Sequence, residues 1–145
     1  MKNAKNEKIL LVEDEEYLLK SLEVFLRNET KYEIFSASNG KEAIEIINST
    51  EIDLILTDLK MPEIGGIELM EYGKNKSADI PVIAMTAFAS LNSAIEALRL
   101  GVYDYLIKPY EFDMVLIVIN RAIERIRLTK KASEVEKLNV IAEAA

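Results

Sequence analysis

The chain has no cysteine, no histidine and no tryptophan, and only five glycines and three prolines. Without cysteine there is no disulfide, no thiolate metal site and no thiol nucleophile. Without histidine no imidazole can serve as general base, zinc ligand or phosphoryl carrier. Positive charge is also short, with 18 basic residues against 25 acidic ones and a formal net charge of -7. Nucleic acid demands clustered Lys and Arg, so direct nucleic-acid binding is not expected. No apolar run approaches the ~20 residues of a membrane span. Met1–Lys8 is polar and basic, unlike a signal peptide. The expectation is a cytoplasmic chain with no membrane partner.

What is present is apolar. Half of the 145 residues are hydrophobic, enough for one domain around a single core. Strand-like runs at Ile9–Val12, Tyr32–Ser36, Asp53–Thr57, Ile80–Met85 and Val102–Ile107 alternate with helical spacing. The first helix is read from Glu15 to about Glu29, with Asp14 as its cap. A second follows Asn39-Gly40, and a third runs through Ile67, Leu69, Met70 and Tyr72 to near Gly73. Asn92–Leu100 is stopped by Gly101, and the last helix runs from Glu111 to about Leu128. This alternation predicts an α/β fold with a five-stranded parallel sheet and helices on both faces. Residues 1–7 are expected to be a disordered N-terminal segment, 8–128 the domain, and 129–145 a helical tail or linker. In that tail Val135, Leu138 and Ile141 repeat every third residue, a pattern too short for a coiled coil.

Four of the strand-like runs stop at polar residues. The first ends at Glu13-Asp14, the third at Asp58, the fourth at Thr86 and the fifth at Lys108-Pro109. In an open parallel sheet the carboxyl ends of the strands share one edge, where ligands bind. Three carboxylates, a hydroxyl and an ammonium would then meet at one spot, a set suited to a hard cation and to phosphoryl transfer. Each residue alone has a plainer reading. Glu13-Asp14 fits a helix cap, Asp58 a turn, Thr86 a backbone-bonded hydroxyl and Lys108 a solvated lysine. Those readings do not explain why all of them stand at strand ends.

Leu-Val-Glu-Asp-Glu at 11–15, Thr-Asp-Leu-Lys-Met-Pro with Gly-Gly across 57–66, Pro-Val-Ile-Ala-Met-Thr-Ala at 81–87 and Tyr-Leu-Ile-Lys-Pro at 105–109 occur in order. With these motifs the chain, from about Lys8 to Leu128, resembles the receiver domain of two-component response regulators. The resemblance implies a flavodoxin-like sheet of order 2-1-3-4-5, to which the helical tail read above adds a C-terminal extension. It implies that Asp58 is the phosphoacceptor, taking a phosphoryl group from a sensor histidine kinase. It implies that Glu13, Asp14, Asp58 and the Lys60 backbone carbonyl hold Mg²⁺, that Lys108 pairs with phosphoryl oxygens, and that Thr86 donates its hydroxyl to one. The family joins its lysine to the following proline by a cis peptide.

Thr86 and Tyr105 would form a coupled switch that alters the surface of the fourth helix, fifth strand and fifth helix. Tyr105 also fits a core aromatic. The chain would be a phosphoprotein consumed as substrate in each cycle, not an enzyme, although it catalyses its own phosphorylation and dephosphorylation. Departures from the common pattern are mild. Glu13 stands where many members have Asp, leaving open direct or water-mediated metal contact. Gly65 replaces a frequent Asp, and Tyr110 a frequent Phe. Lys60 and Phe88 stand where the family tunes phosphoryl lifetime, and bulky Phe88 suggests a lifetime longer than that of fast chemotaxis receivers.

Two other functions would make different demands on these residues. A flavin or nucleotide carrier would need a phosphate-cradling loop after the first strand, where Glu13-Asp14-Glu15-Glu16 would repel phosphate. A phosphorylation-independent module with a relic site would not need the complete acidic set. The motifs look most like receivers attached to AAA+ enhancer-binding transcription activators. The tail fits a linker to an output domain as well as a stand-alone receiver. Arg121, Arg125, Arg127, Lys130 and Lys131 read as a solvated face, or as partners of Glu96 or Asp104 across a phosphorylation-dependent homodimer.

Overall fold

The computed structural model describes residues 6–61, 63–75, 80–87, 91–99 and 101–144. The elements run β1 (Lys8–Val12), α1 (Glu16–Glu29), β2 (Glu33–Ala37), α2 (Gly40–Ser49) and β3 (Leu54–Asp58). They continue as α3 (Gly66–Asn75), β4 (Val82–Thr86), α4 (Leu91–Arg99), β5 (Asp104–Ile107) and α5 (Phe112–Ala144). Among the described residues the strands form one parallel sheet of order β2-β1-β3-β4-β5, as the resemblance implies. No helix among them is long and apolar enough to cross a membrane.

Side chains alternate across a strand, and here the alternation sorts the core into two layers. Ile9 and Leu11, Leu54 and Leu56, Ile83 and Met85, and Leu106 face the layer made with Leu19, Leu22 and Leu26 of α1 and Val115, Ile119 and Ile123 of α5. Leu10 and Val12, Ile55, and Val82 and Ala84 face Ala43 and Ile47 of α2, Leu69 and Met70 of α3 and Ala97 of α4. The three middle strands are therefore buried on both faces and read as continuous apolar runs. Each fully buried Leu or Ile contributes about 1.5–3 kcal/mol by leaving water.

Helix ends follow local chemistry. Asn39 caps α2 by accepting the Glu42 N–H at 2.8 Å, and the Glu42 carboxylate reaches back to the Ser38 N–H at 2.8 Å. Gly101, at φ 80°, ends α4 with two bonds: its N–H to the Leu98 carbonyl and the Val102 N–H to the Ala97 carbonyl. This pairing satisfies carbonyls that would otherwise lack donors.

Several sequence expectations need correction. Asp14 does not cap α1: Glu15 occupies the cap position, without a side-chain cap bond. The Glu15 N–H is instead taken by the Glu13 carboxylate at 3.0 Å. The last helix does not end near Leu128 but continues unbroken to Ala144, so the predicted tail is an extension of α5. Helix α3 passes Gly73 and ends at Asn75. Of the segment expected to be disordered, Glu7 is tied down. Its carbonyl accepts the Glu33 N–H at 2.9 Å, and its carboxylate binds Arg127 at 2.6 and 2.7 Å. Residues 1–5, Pro62, Phe88, Leu100 and Ala145 lie outside the described residues.

The basic stretch of α5 is largely occupied within the chain. Arg121 pairs with Asp104 at 3.0 Å, Lys130 lies 3.6 Å from Asp53, and Arg125 stands over the Tyr103 ring. Asp104, predicted to reach a second chain, thus already has a partner in its own.

Candidate functional site

The alternation that sorts the core also places the site. Glu13, Asp58 and Lys108 have the parity of Leu11, Leu56 and Leu106, so they emerge over the α1–α5 layer at the carboxyl edge of β1, β3 and β5. Thr86 has the parity of Ala84 and emerges on the other face. Tyr105 pairs with Ala84 across the β4–β5 ladder and packs on that same layer. Lys108 is held at the edge by its N–H to the Thr86 carbonyl at 2.8 Å, and the Lys108-Pro109 peptide is cis.

The Lys108 ammonium binds two carboxylates at once. It donates to Asp58 Oδ2 at 2.8 Å and to Glu13 Oε1 in a short contact. All three groups are shielded, with side-chain exposures of 15% for Lys108, 1% for Glu13 and 9% for Asp58. Asp14 is exposed at the rim. One carboxylate oxygen from each of Glu13, Asp14 and Asp58 lies within 4.8 Å of the others. The second Asp58 oxygen accepts the Lys60 N–H at 3.0 Å, which places Lys60 beside the acceptor. Thr86 is buried, 1% exposed, at the end of β4. Glu13, Asp14, Asp58, Lys60, Thr86 and Lys108 therefore stand together at this edge, with Tyr105 three residues before Lys108 on β5.

Charge decides what the pocket can hold. Burial alone would drive Glu13 toward its neutral form, and its pKa is raised despite the Lys108 and Glu15 hydrogen bonds. Desolvation also opposes the charge on Lys108. The hydrogen bonds to Asp58 and Glu13 outweigh it and hold the ammonium well above the usual lysine range. One ammonium against three carboxylates leaves an excess of negative charge. The donors are all oxygens, and one of them stands open to solvent. That set fits Mg²⁺, which prefers oxygen ligands and keeps several of its waters.

Two neighbours were not legible in the sequence as parts of the site. Gly66 packs its backbone against the Asp58 loop so closely that a Cβ would stand 2.3 Å from the Asp58 carbonyl oxygen. In the sequence the Gly65-Gly66 pair served as part of a motif, with no sign of this close approach. Tyr110 registered only as a substitute for Phe. Its ring joins Phe112, which in turn contacts Phe25, and its buried hydroxyl has no hydrogen-bond partner among the described residues.

Comparison with known proteins gives a consistent result. The response regulator receiver domain matches residues 9–120. The chain is 38% identical over 122 residues to the transcriptional regulatory protein ZraR of Klebsiella oxytoca, covering 84% of this chain and 27% of that protein. It is 34% identical over 117 residues to the regulatory protein AtoC of Escherichia coli, covering 81% of this chain and 25% of that one. The chain thus spans about a quarter of the length of these relatives. Among solved structures, the signal receiver domain of a LuxO repressor protein from Vibrio parahaemolyticus superposes with a TM-score of 0.82 at 27% identity. That match covers 88% of this chain and 98% of the other. A CheY-like receiver domain from Methanospirillum hungatei gives 0.81 at 27%, covering 86% and 99%. With its sheet order, its strand-end residues and these matches in agreement, the chain belongs to the response regulator receiver domain family.

Proposed function

We propose that this chain is a phosphoacceptor switch of a two-component system, taking a phosphoryl group from a sensor histidine kinase onto Asp58. The observation that carries the reading is the ammonium of Lys108 bound to Asp58 and Glu13 together, with Asp14 within reach of both carboxylates. A carboxylate attacks a phosphoryl group poorly while other anions crowd it, so fixed positive charge must stand where charge develops.

An Asp58 carboxylate oxygen forms the new bond to phosphorus as the donor's bond to phosphorus breaks, and the donor leaves with its electron pair. Bound Mg²⁺, held by Glu13, Asp14, Asp58 and the Lys60 carbonyl, would supply charge neutralisation at the phosphoryl oxygens. Lys108 is already at Asp58 and needs only to turn toward the new group. Thr86 would offer its hydroxyl to a phosphoryl oxygen. Moving Thr86 toward Asp58 vacates space beside Tyr105, which packs on the same sheet face. The Tyr105 hydroxyl is buried and finds no hydrogen-bond partner among the described residues, so it gains by moving.

The surface that would change includes exposed Ile95 and Leu98 on α4, Ile107 on β5 and Ile117 on α5. Exposed apolar groups on adjoining elements suit a partner or a second copy. The domain is consumed and regenerated in each cycle, so it is a switch rather than an enzyme, and transcription control is the output suggested by the names of its relatives. Incubation with acetyl phosphate and Mg²⁺ is expected to add one phosphoryl group, about 80 Da, and chelation of the metal to prevent it. A chain that stays unmodified with donor and metal, and with phosphorylated histidine kinases, would count against the reading.

A further inference from the structure

Glycine weakens a helix relative to alanine, so a glycine inside one calls for a reason. Gly40 is the first residue of α2 and is buried. A Cβ there would stand 2.6 Å from three atoms of Ile64: its Cβ, its Cγ2 and its backbone carbonyl oxygen. Turning the Ile64 side chain would clear only the Cγ2. The Cβ and the carbonyl follow the path of the chain itself. Any larger residue at position 40 would therefore push the β3–α3 connection away from α2.

Both partners of this contact lead to the site. On the α2 side, the Ser38 N–H and hydroxyl both donate to the Glu42 carboxylate at 2.8 Å, which stiffens the turn into the helix. Ala43 and Ile47 fasten that helix to the sheet. Ala37, where the turn begins, accepts the Glu13 N–H at 3.1 Å. On the other side, the β3–α3 connection carries Lys60, whose N–H holds Asp58 Oδ1 at 3.0 Å. The Gly66 N–H closes that connection on the Leu59 carbonyl at 3.0 Å. Glu63, next to Ile64, has φ 65°, a left-handed conformation that a residue with a side chain keeps only where its surroundings impose it. Ile64 seated on Gly40 is such a constraint.

We propose that Gly40 is a positioning residue for the metal-binding edge. By admitting Ile64 against the start of α2, it fixes the β3–α3 connection, and with it Lys60, relative to Glu13 and Asp58. Gly40 itself touches neither the metal nor a phosphoryl group and acts through Ile64. The proposal rests on the phosphoacceptor reading for its purpose, but its measurable core is the affinity of the edge for a cation.

The test is a Mg²⁺ titration of the full chain followed by amide NMR shifts, comparing the native chain with Gly40→Ala and Ile47→Val. Ile47 lies two turns farther along α2 on its buried face, so Ile47→Val loosens the same helix without crowding Ile64. Gly40→Ala is expected to raise the Kd for Mg²⁺ about tenfold, as loss of a residue that supports metal ligands does elsewhere. Ile47→Val is expected to lower the melting temperature and leave the Kd as it was. An unchanged Kd in Gly40→Ala, or an equal rise in both variants, would overturn the proposal. Should Gly40→Ala not fold, Ile64→Ala decides. It empties the seat while keeping Gly40, and it should also raise the Kd; an unchanged value would overturn the proposal. Labelling with acetyl phosphate separates this outcome from the wider reading. A native chain that binds Mg²⁺ but accepts no phosphoryl group, from acetyl phosphate or from phosphorylated histidine kinases, would sink the phosphoacceptor reading, while the ratio of Kd values would still decide the role of Gly40.

Discussion

Gly66 sets how closely α3 can approach the acceptor. Its N–H donates to the Leu59 carbonyl at 3.0 Å, and a Cβ there would lie 2.3 Å from the Asp58 carbonyl oxygen and 2.7 Å from the Leu59 Cα. Both obstacles are backbone, so neither can swing aside. Gly66→Ala should therefore cost about 1–3 kcal/mol, as overpacking does elsewhere, and should displace Asp58 from Lys108. Urea denaturation checks the first effect and acetyl phosphate labelling the second; an unaltered midpoint with unaltered labelling would contradict the packing account. At this scale the charged members of the site were readable because each interrupts an apolar run at a strand end. Gly66 and Tyr110 were not, because their importance lies in what approaches them from other elements. A glycine pair and an aromatic after proline look the same in sequence whether or not a buried carboxylate stands beside them.

Among the elements, α5 departs most from its reading. Its first half is amphipathic and buries Val115, Val118, Ile119, Ala122 and Ile123, while residues 129–144 are exposed on every side. The loss of apolar periodicity after Ile126 signalled the end of packing, not the end of the helix. Nothing such as Gly or Pro interrupts the chain there, and Ala, Lys, Glu and Leu carry the helix on. Strand and helix identities were otherwise legible from periodicity, with ends shifted by one or two residues where backbone bonding, invisible in sequence, decides.

The helix leaves the body through an ion pair. Arg127 holds the Glu7 carboxylate below its ordinary value of 4.5, chiefly by direct hydrogen bonding. A carboxylate whose pKa is depressed by folding contributes stability above its unfolded value, and that contribution disappears as pH falls through the folded one. Arg127 is largely exposed, so Arg127→Ala should cost no more than about 1 kcal/mol at neutral pH. The difference between native and variant midpoints should shrink in acid. A difference of the same size at neutral and acid pH would show that the pair does not anchor the helix by charge.

For the whole molecule, the edge where the sheet opens carries three carboxylates against one ammonium, and relieving that excess of negative charge should stabilise the fold. A cation that binds only the folded chain adds about 2.7 kcal/mol at a hundredfold excess over its Kd. Mg²⁺ is therefore expected to raise the melting temperature of the native chain, and to raise it less for Asp14→Asn at the same concentration. Equal gains would place the cation elsewhere. The parallel sheet and the site edge followed from five apolar runs and the polar stops of four of them, because a parallel sheet brings its strand ends to one line whatever the details of packing; the strand order followed from the family resemblance. The most direct test of the central claim is intact-mass spectrometry after incubation with acetyl phosphate and Mg²⁺, comparing the native chain with Asp58→Asn. A labile gain of about 80 Da is expected in the native chain and none in the variant. The same gain in both would contradict Asp58 as the acceptor.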